Sequence, residues 1–271
     1  MPAMKIFIVI MCTGLWYQAV SARQAYAWSQ VKTSHFIVYY KNTPLDMVER
    51  IAQGAEENYS TITENLGLRR FNFWLWENRA VIYIHDDTAD YQLSTNRPAW
   101  SGGFTMAQSK TIHTFLDPQG LYEGTLAHEI GHIVFREAVG FENQAVPMWF
   151  EEGVASLQEY LEYGGVKALM KTEIEKGNFL PLEKLSTIDP HVLSQRESSQ
   201  PIYQGVIRFF YLESISIVAY LIEVFGKNSF SVFCRALRNT GKFDEALAKA
   251  YPFKNSQELS RGWEAYLRAQ K

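Results

Sequence analysis

The stretch TLAHEIGHIVF (125–135) places His128 and His132 four residues apart, with Glu129 beside the first. On a helix, positions i and i+4 are offset by only about 40° and lie one turn apart, so both imidazoles can address one ion. Glu129 is turned by about 100°, off the ligand line yet able to reach a water held by that ion. Leu126, Ile130, Ile133 and Val134 form a stripe about 160° from the histidines, which therefore face away from the side that packs most obviously. With six histidines in the chain, such a pattern arises by accident at about the 1% level. A buried histidine satisfied by a hydrogen bond explains one of the two, but neither the second nor the glutamate. Two ligands make a weak catalytic site, so the fold must bring a third from elsewhere.

The segment VPMWFEEGVASLQEYLEY (146–163) supplies two candidates, Glu151 and Glu152. Pro147 suits the first turn of a helix, on which Phe150, Val154, Leu157 and Leu161 form one apolar face. Glu152 sits opposite that face, and Glu151 is turned about 100° from it. Nineteen residues lie between His132 and Glu152, enough to finish one helix, turn and lay a second alongside. Two histidines, a glutamate and an open position for water form the ligand set of a catalytic zinc site.

The remaining pattern describes a mixed front half and a helical back half. HFIVYY (35–40) and AVIYIH (80–85) read as strands, while GGFTMAQ (102–108) and TIHTF (111–115) resemble a short hairpin around Ser109-Lys110. Apolar spacing predicts helices over 44–67, 120–138, 147–163, 204–225, 228–239, 243–250 and 256–269. Pro44, Pro147 and Asn228 mark helix starts; Gly67, Gly140 and Gly226 fit helix ends. The stretch STIDPHVLSQRESSQP (186–201) is the most loop-like interior segment, a candidate lid or linker. Gly131 inside the motif helix signals close packing against another element, since glycine there costs about 1 kcal/mol. His113 reads as structural, and His35 and His85 lie in strand-like segments without a partner pattern.

At 271 residues and 47% hydrophobic, the chain has ample material for a core. A net charge of −3 excludes a broad basic surface, so nucleic acid is not an expected partner. Residues 1–22 read as a signal for export to the periplasm or the extracellular medium. Lys5 gives a positive start, Ile6 to Gly14 an apolar run, and Val20-Ser21-Ala22 a cleavage pattern, with Ala25-Tyr26-Ala27 an alternative ending at 27. Gly14 and Gln18 interrupt that run short of the ~20 apolar residues a membrane span needs, and no second span is read further on. Of two cysteines, Cys12 lies in the signal and only Cys234 remains, so no intramolecular disulfide is expected.

HEIGH followed by WFEEGVA resembles the gluzincin metallopeptidases, whose third ligand is the glutamate before the glycine of the second motif. That resemblance carries over to Glu152, in agreement with the helical wheel. Within the gluzincins the likeness is to the peptidase MA-like group, through YLESISIVAYLIEVFG (211–226), FDEALAKAY (243–251) and LSRGWEAYL (259–267). It covers roughly residues 80–271. It implies an α+β, zincin-like fold: residues 28–271 form one metallopeptidase domain, an α/β lobe at 28–116 and a helical lobe at 117–271, with the active-site helix between them. Two departures stand out. Many gluzincins carry an aspartate one turn after the ligand glutamate to orient a histidine; here that position is Ser156, with Glu159 one turn further. Glu213 stands where the smaller group often has glutamine.

The implied activity is zinc-dependent hydrolysis of peptide bonds in a peptide or protein substrate, with one Zn²⁺ per chain held by His128, His132 and Glu152. Glu129 would take a proton from a zinc-activated water and pass it to the leaving amine. By the family likeness Tyr211 stabilises the oxyanion, with Tyr203 and then His191 as alternatives. Substrate would add a strand along 102–108, where Gly102 and Gly103 allow close approach. Two other readings compete: a non-catalytic gluzincin-like binding module, and a zinc-dependent hydrolase of a non-peptide amide.

Overall fold

The computed structural model describes residues 27–68, 78–97, 102–116, 123–159, 164–190, 192–193 and 201–270, without the side chains of Glu123 and 201–204. The N-terminal export segment, His191 and residues 194–200 of the loop-like segment lie outside the described residues. Among those residues five strands form one mixed sheet: β1 (Ser29–Lys32), β2 (Phe36–Tyr40), β3 (Ala80–His85), β4 (Gly103–Met106) and β5 (Thr111–Phe115), in the order β1-β2-β3-β5-β4. The inner three are parallel and both outer ones antiparallel to their neighbours. Parallel neighbours require a crossover, which helix α1 (Leu45–Asn65) provides between β2 and β3.

Alternation decides the two faces. Phe36, Val38, Ile82, Ile84 and Ile112 are buried and join one core with Val48, Ile51, Ala55 and Ile62 of α1. On the opposite face Tyr39, Tyr83, His113 and Phe104 pair across four neighbouring strands. Tyr39 stacks on Tyr83 at 5.0 Å and Tyr83 on His113 at 4.9 Å. A short helix, α2 (Thr88–Thr95), covers one end of this face through Tyr91 and carries Asp90 to His85 Nδ1 at 3.3 Å. His85 Nε2 in turn lies 3.0 Å from His113 Nδ1. Burial, with His85 adding to it, pulls the His113 pKa down to about 4, so this pair is a neutral structural hydrogen bond. His35 pairs instead with Glu56, Nδ1 to Oε2 at 2.6 Å.

Every element after the sheet is helical: α3 (Glu123–Val139), α4 (Met148–Leu157), α5 (Gly164–Lys176), α6 (Leu182–Leu185), α7 (Pro201–Thr240), α8 (Phe243–Ala250) and α9 (Ser256–Ala269). Leu126, Ile130, Ile133 and Val134 of α3 are buried, as its stripe requires, and α3 touches α1, β4, α4 and α7. Helix α7 is two helices end to end, broken at Gly226 (φ 82°, ψ 159°), the glycine at which the apolar spacing predicts a stop. By length and apolarity Gly205–Thr240 passes for a membrane span, as the core helix of a globular domain also does. In this fold Phe210, Ile215, Val218, Leu221, Phe230, Phe233 and Leu237 on it belong to the core. The sequence pattern also leaves out β1, α2, α5 and α6.

Two helix crossings leave little or no room for a side chain. A Cβ on Gly131 of α3 would stand 3.1 Å from the Ala155 Cα of α4. A Cβ on Gly153 of α4 would collide with the Ser214 carbonyl of α7. Backbone contact at these two points sets the spacing of the three helices on which the candidate site is built.

Glu213, one residue from the second crossing, is fully buried on α7. Its Oε1 accepts the Leu180 N–H at 2.8 Å, while Oε2 has no partner among the described residues. Burial pushes its pKa up to about 8; the Leu180 N–H opposes that shift and the Glu264 carboxylate adds to it. The folded chain therefore keeps a proton that the unfolded chain, with an ordinary glutamate near 4.5, has released at neutral pH. The stability tied to that proton is complete below pH about 4.5 and is lost as pH rises toward 8, with a limiting slope of about 1.4 kcal/mol per pH unit. Urea unfolding from pH 5 to 8 is expected to show Glu213→Gln flattening this decline relative to wild type. An unchanged slope would mean that Glu213 is ionised in the fold.

Candidate metal centre

Helix α3 turns His128 and His132 toward α4, whose first turn follows Pro147 and whose Trp149, Phe150 and Val154 are buried. Anchoring that apolar face leaves Glu152, itself only 6% exposed, pointing at the two imidazoles. One ligand atom from each of His128, His132 and Glu152 lies within 4.8 Å of the other two. The Nε2 atoms of the histidines are 3.0 Å apart. Glu152 oxygens stand 3.6 Å from His128 Nε2 and 3.8 Å from His132 Nε2. Ligands around a tetrahedral zinc with bonds of 2.0–2.1 Å are separated by about 3.3 Å, so the three atoms fit such an ion with small adjustments.

The far nitrogens explain why Nε2 faces inward. His128 Nδ1 is in contact with the Glu159 carboxylate, and Ser156 Oγ lies 3.4 Å from the same nitrogen. His132 Nδ1 is 3.5 Å from Glu151 Oε1. Arg136, one turn beyond His132, donates Nε–H to Glu151 Oε1 at 2.7 Å and also contacts the other oxygen. Each imidazole thus has a carboxylate beside Nδ1, which orients the ring so that Nε2 faces Glu152. Burial pulls the His132 pKa down, but Glu152, Glu151 and Glu129 together outweigh it and hold it at about 9. The Glu151 carboxyl goes the other way: burial raises it, yet His132 and Arg136 bring it down to about 2. The pocket is strongly anionic and suited to a cation.

Glu129 lies outside the ligand triad, 8% exposed, with Oε2 accepting the Thr105 hydroxyl of β4. Gly103 makes that approach feasible, because a Cβ there would sit 2.9 Å from Thr125 Cγ2 and 3.2 Å from Glu129 Oε1. Tyr211 comes from α7 and shares a cavity of about 550 Å³ with His128, Ser156, Glu159, Arg208, Leu212 and Ile215. Burial pushes its ionisation well above the ordinary value, and Glu152, Glu159 and Glu129 add to this, so the phenol keeps its proton. The Tyr203 side chain and His191, the other two oxyanion candidates, lie outside the described residues.

The structure therefore brings Glu129, His128, His132, Glu152 and Tyr211 to one place. Glu151, the alternative third ligand, sits on the outer side of His132. Pattern reading missed Glu159 as the partner of His128, Thr105 as the partner of Glu129, and Arg208 in the cavity wall. A signal for Glu159 existed: seven residues after Glu152, it falls within about 20° of the same helical face. Thr105 had none, since its contact spans a strand and a helix 24 residues apart.

The family model described as the Peptidase MA superfamily matches residues 76–269, which include both sequence motifs and α7 to α9. Comparison with curated proteins finds no match.

Orientation of His128 by Glu159 has a measurable consequence. Glu159→Ala is expected to weaken zinc affinity roughly 10- to 100-fold, and Glu159→Gln by less, in competition with a chromophoric chelator. Equal affinities in all three proteins would mean that Ser156 alone holds the ring.

Proposed function

Because the chain belongs to the Peptidase MA superfamily, we propose that it is a zinc-dependent peptidase, with His128, His132 and Glu152 as metal ligands and Glu129 as general base. The observation that carries the reading is the convergence of three ligand atoms within 4.8 Å while Glu129 stays outside the triad, held by a strand hydroxyl. A purely structural ion has no use for that second carboxylate, which favours hydrolysis over a binding module. The sheet against α1 and α3, followed by a helical half, supports the zincin-like fold.

Bound by this set, a zinc ion would polarise the scissile carbonyl and make water acidic enough to attack near neutral pH. Thr105 occupies Glu129 Oε2, so Oε1 is the oxygen that takes the proton of the attacking water and delivers it to the leaving amine. The Tyr211 hydroxyl, kept protonated by its surroundings, donates to the oxyanion as charge develops there. Among the described residues β4 has one strand neighbour, β5, so an extended peptide would add at its other edge and run past Glu129. The N-terminal signal pattern supports export, so the substrates would be peptides or proteins outside the cytoplasm.

Against a mixed peptide library read by mass spectrometry, Glu129→Gln is expected to abolish cleavage while leaving bound metal unchanged. Tyr211→Phe should lower kcat by about 10²-fold with KM little altered, the signature of a donor used in the transition state. Full activity in Glu129→Gln would sink the general-base assignment.

A further inference from the structure

The cavity beside the metal ligands has two chemically different walls. One is His128, Ser156 and Glu159. The other is a single face of α7, where Arg208, Tyr211, Leu212 and Ile215 recur at the i, i+3, i+4, i+7 spacing of one helical stripe. Leu212 and Ile215 make that wall apolar, Tyr211 contributes a protonated phenol, and Arg208 ends it with a guanidinium.

Arg208 is exposed and makes no ion pair among the described residues. The carboxylate it influences electrostatically, Glu173, is already bound by Lys176 at 3.0 Å and by Asn178 at 3.0 Å. Across the cavity Glu159 is committed to His128 Nδ1. Arg136, the other guanidinium near the site, is committed to Glu151. Among the described residues Arg208 is thus the one Lys or Arg side chain lining this cavity, and its planar fork suits a carboxylate bound through two parallel N–H donors. Arg208 counters the repulsion that the surrounding glutamates would exert on an acidic substrate.

We propose, building on the peptidase reading, that Arg208 is a specificity-determining residue that selects substrates with a carboxylate close to the scissile bond. The aliphatic stem of that group lies along Leu212 and Ile215, and its charge meets the guanidinium at the end of the stripe. The carboxylate has two sources in a peptide, an acidic side chain or the C-terminus, and they imply endopeptidase and carboxypeptidase action respectively.

The test uses the full zinc-loaded chain and three pools of N-acetylated peptides. One pool has an internal glutamate and an amidated C-terminus, one has no acidic residue and a free C-terminal carboxylate, and one has neither. Competitive hydrolysis by wild type, Arg208→Ala and Arg208→Lys is read by mass spectrometry, and binding is read on Glu129→Gln. The expected result is a preference of roughly tenfold or more for one carboxylate pool over the neutral pool, erased by Arg208→Ala and partly kept by Arg208→Lys. The favoured pool identifies the source. Cleavage without such a preference, or with one that survives Arg208→Ala, overturns the role of Arg208 and leaves the peptidase reading standing. If no pool is cleaved by wild type or bound by Glu129→Gln, the peptidase reading falls and the inference with it.

Discussion

Helices α3 and α4 cross so closely that a Cβ on Gly131 would stand only 3.1 Å from the Ala155 Cα. Everything at the candidate centre depends on that contact. It brings Glu152 to within 4 Å of both imidazoles, whereas an ordinary interhelical distance of 8–10 Å between side-chain-bearing positions would hold it back. The next crossing, Gly153 against Ser214, repeats the arrangement with α7 and brings Tyr211 to the same cavity. Two glycines that look like helix-weakening residues in the sequence are thus the points at which three helices are set to a fixed separation.

Such proximity concentrates charge. Glu129, Glu151, Glu152 and Glu159 surround two histidines, with Arg136 the nearest compensating cation. Carboxylates at this density in a largely buried site are unfavourable unless a cation or protons neutralise them, and the raised His132 pKa is the imprint of that demand. The carboxylates on both Nδ1 atoms direct the Nε2 lone pairs at Glu152, so the cluster is arranged for an ion rather than for mutual hydrogen bonding. The Thr105 hydroxyl of β4 meanwhile holds Glu129 away from the three converging ligand atoms.

Much of this was legible beforehand, for identifiable reasons. Helices α8 and α9 match their apolar spacing to the residue, and β3 its alternation, because both signals are strong and local. The glycine break in α7 was visible at Gly226, and the approach of another element at Gly131. The losses share a cause. Strand β1, SQVK, is mostly exposed and lacks an apolar alternation, and α2 buries only Tyr91. Helix α5 did carry a readable signal in Val166, Met170 and Ile174, diluted by the two glycines at its start. At the site, the convergence of His128, His132 and Glu152 could be read because each residue lies on a regular helix. Glu159 sits in the turn after α4, still close to the helical face of Glu152, whereas Thr105 belongs to a different layer and its contact has no sequence period to announce it.

The central claim is that His128, His132 and Glu152 together hold one zinc ion. Metal content of the purified protein and of Glu152→Ala, measured by elemental mass spectrometry after equal exposure to zinc and dialysis, tests it most directly. One zinc per chain in wild type, lost or much reduced in the variant, is the expected result. A wild type that retains no metal, or a variant that retains as much as wild type, would contradict it.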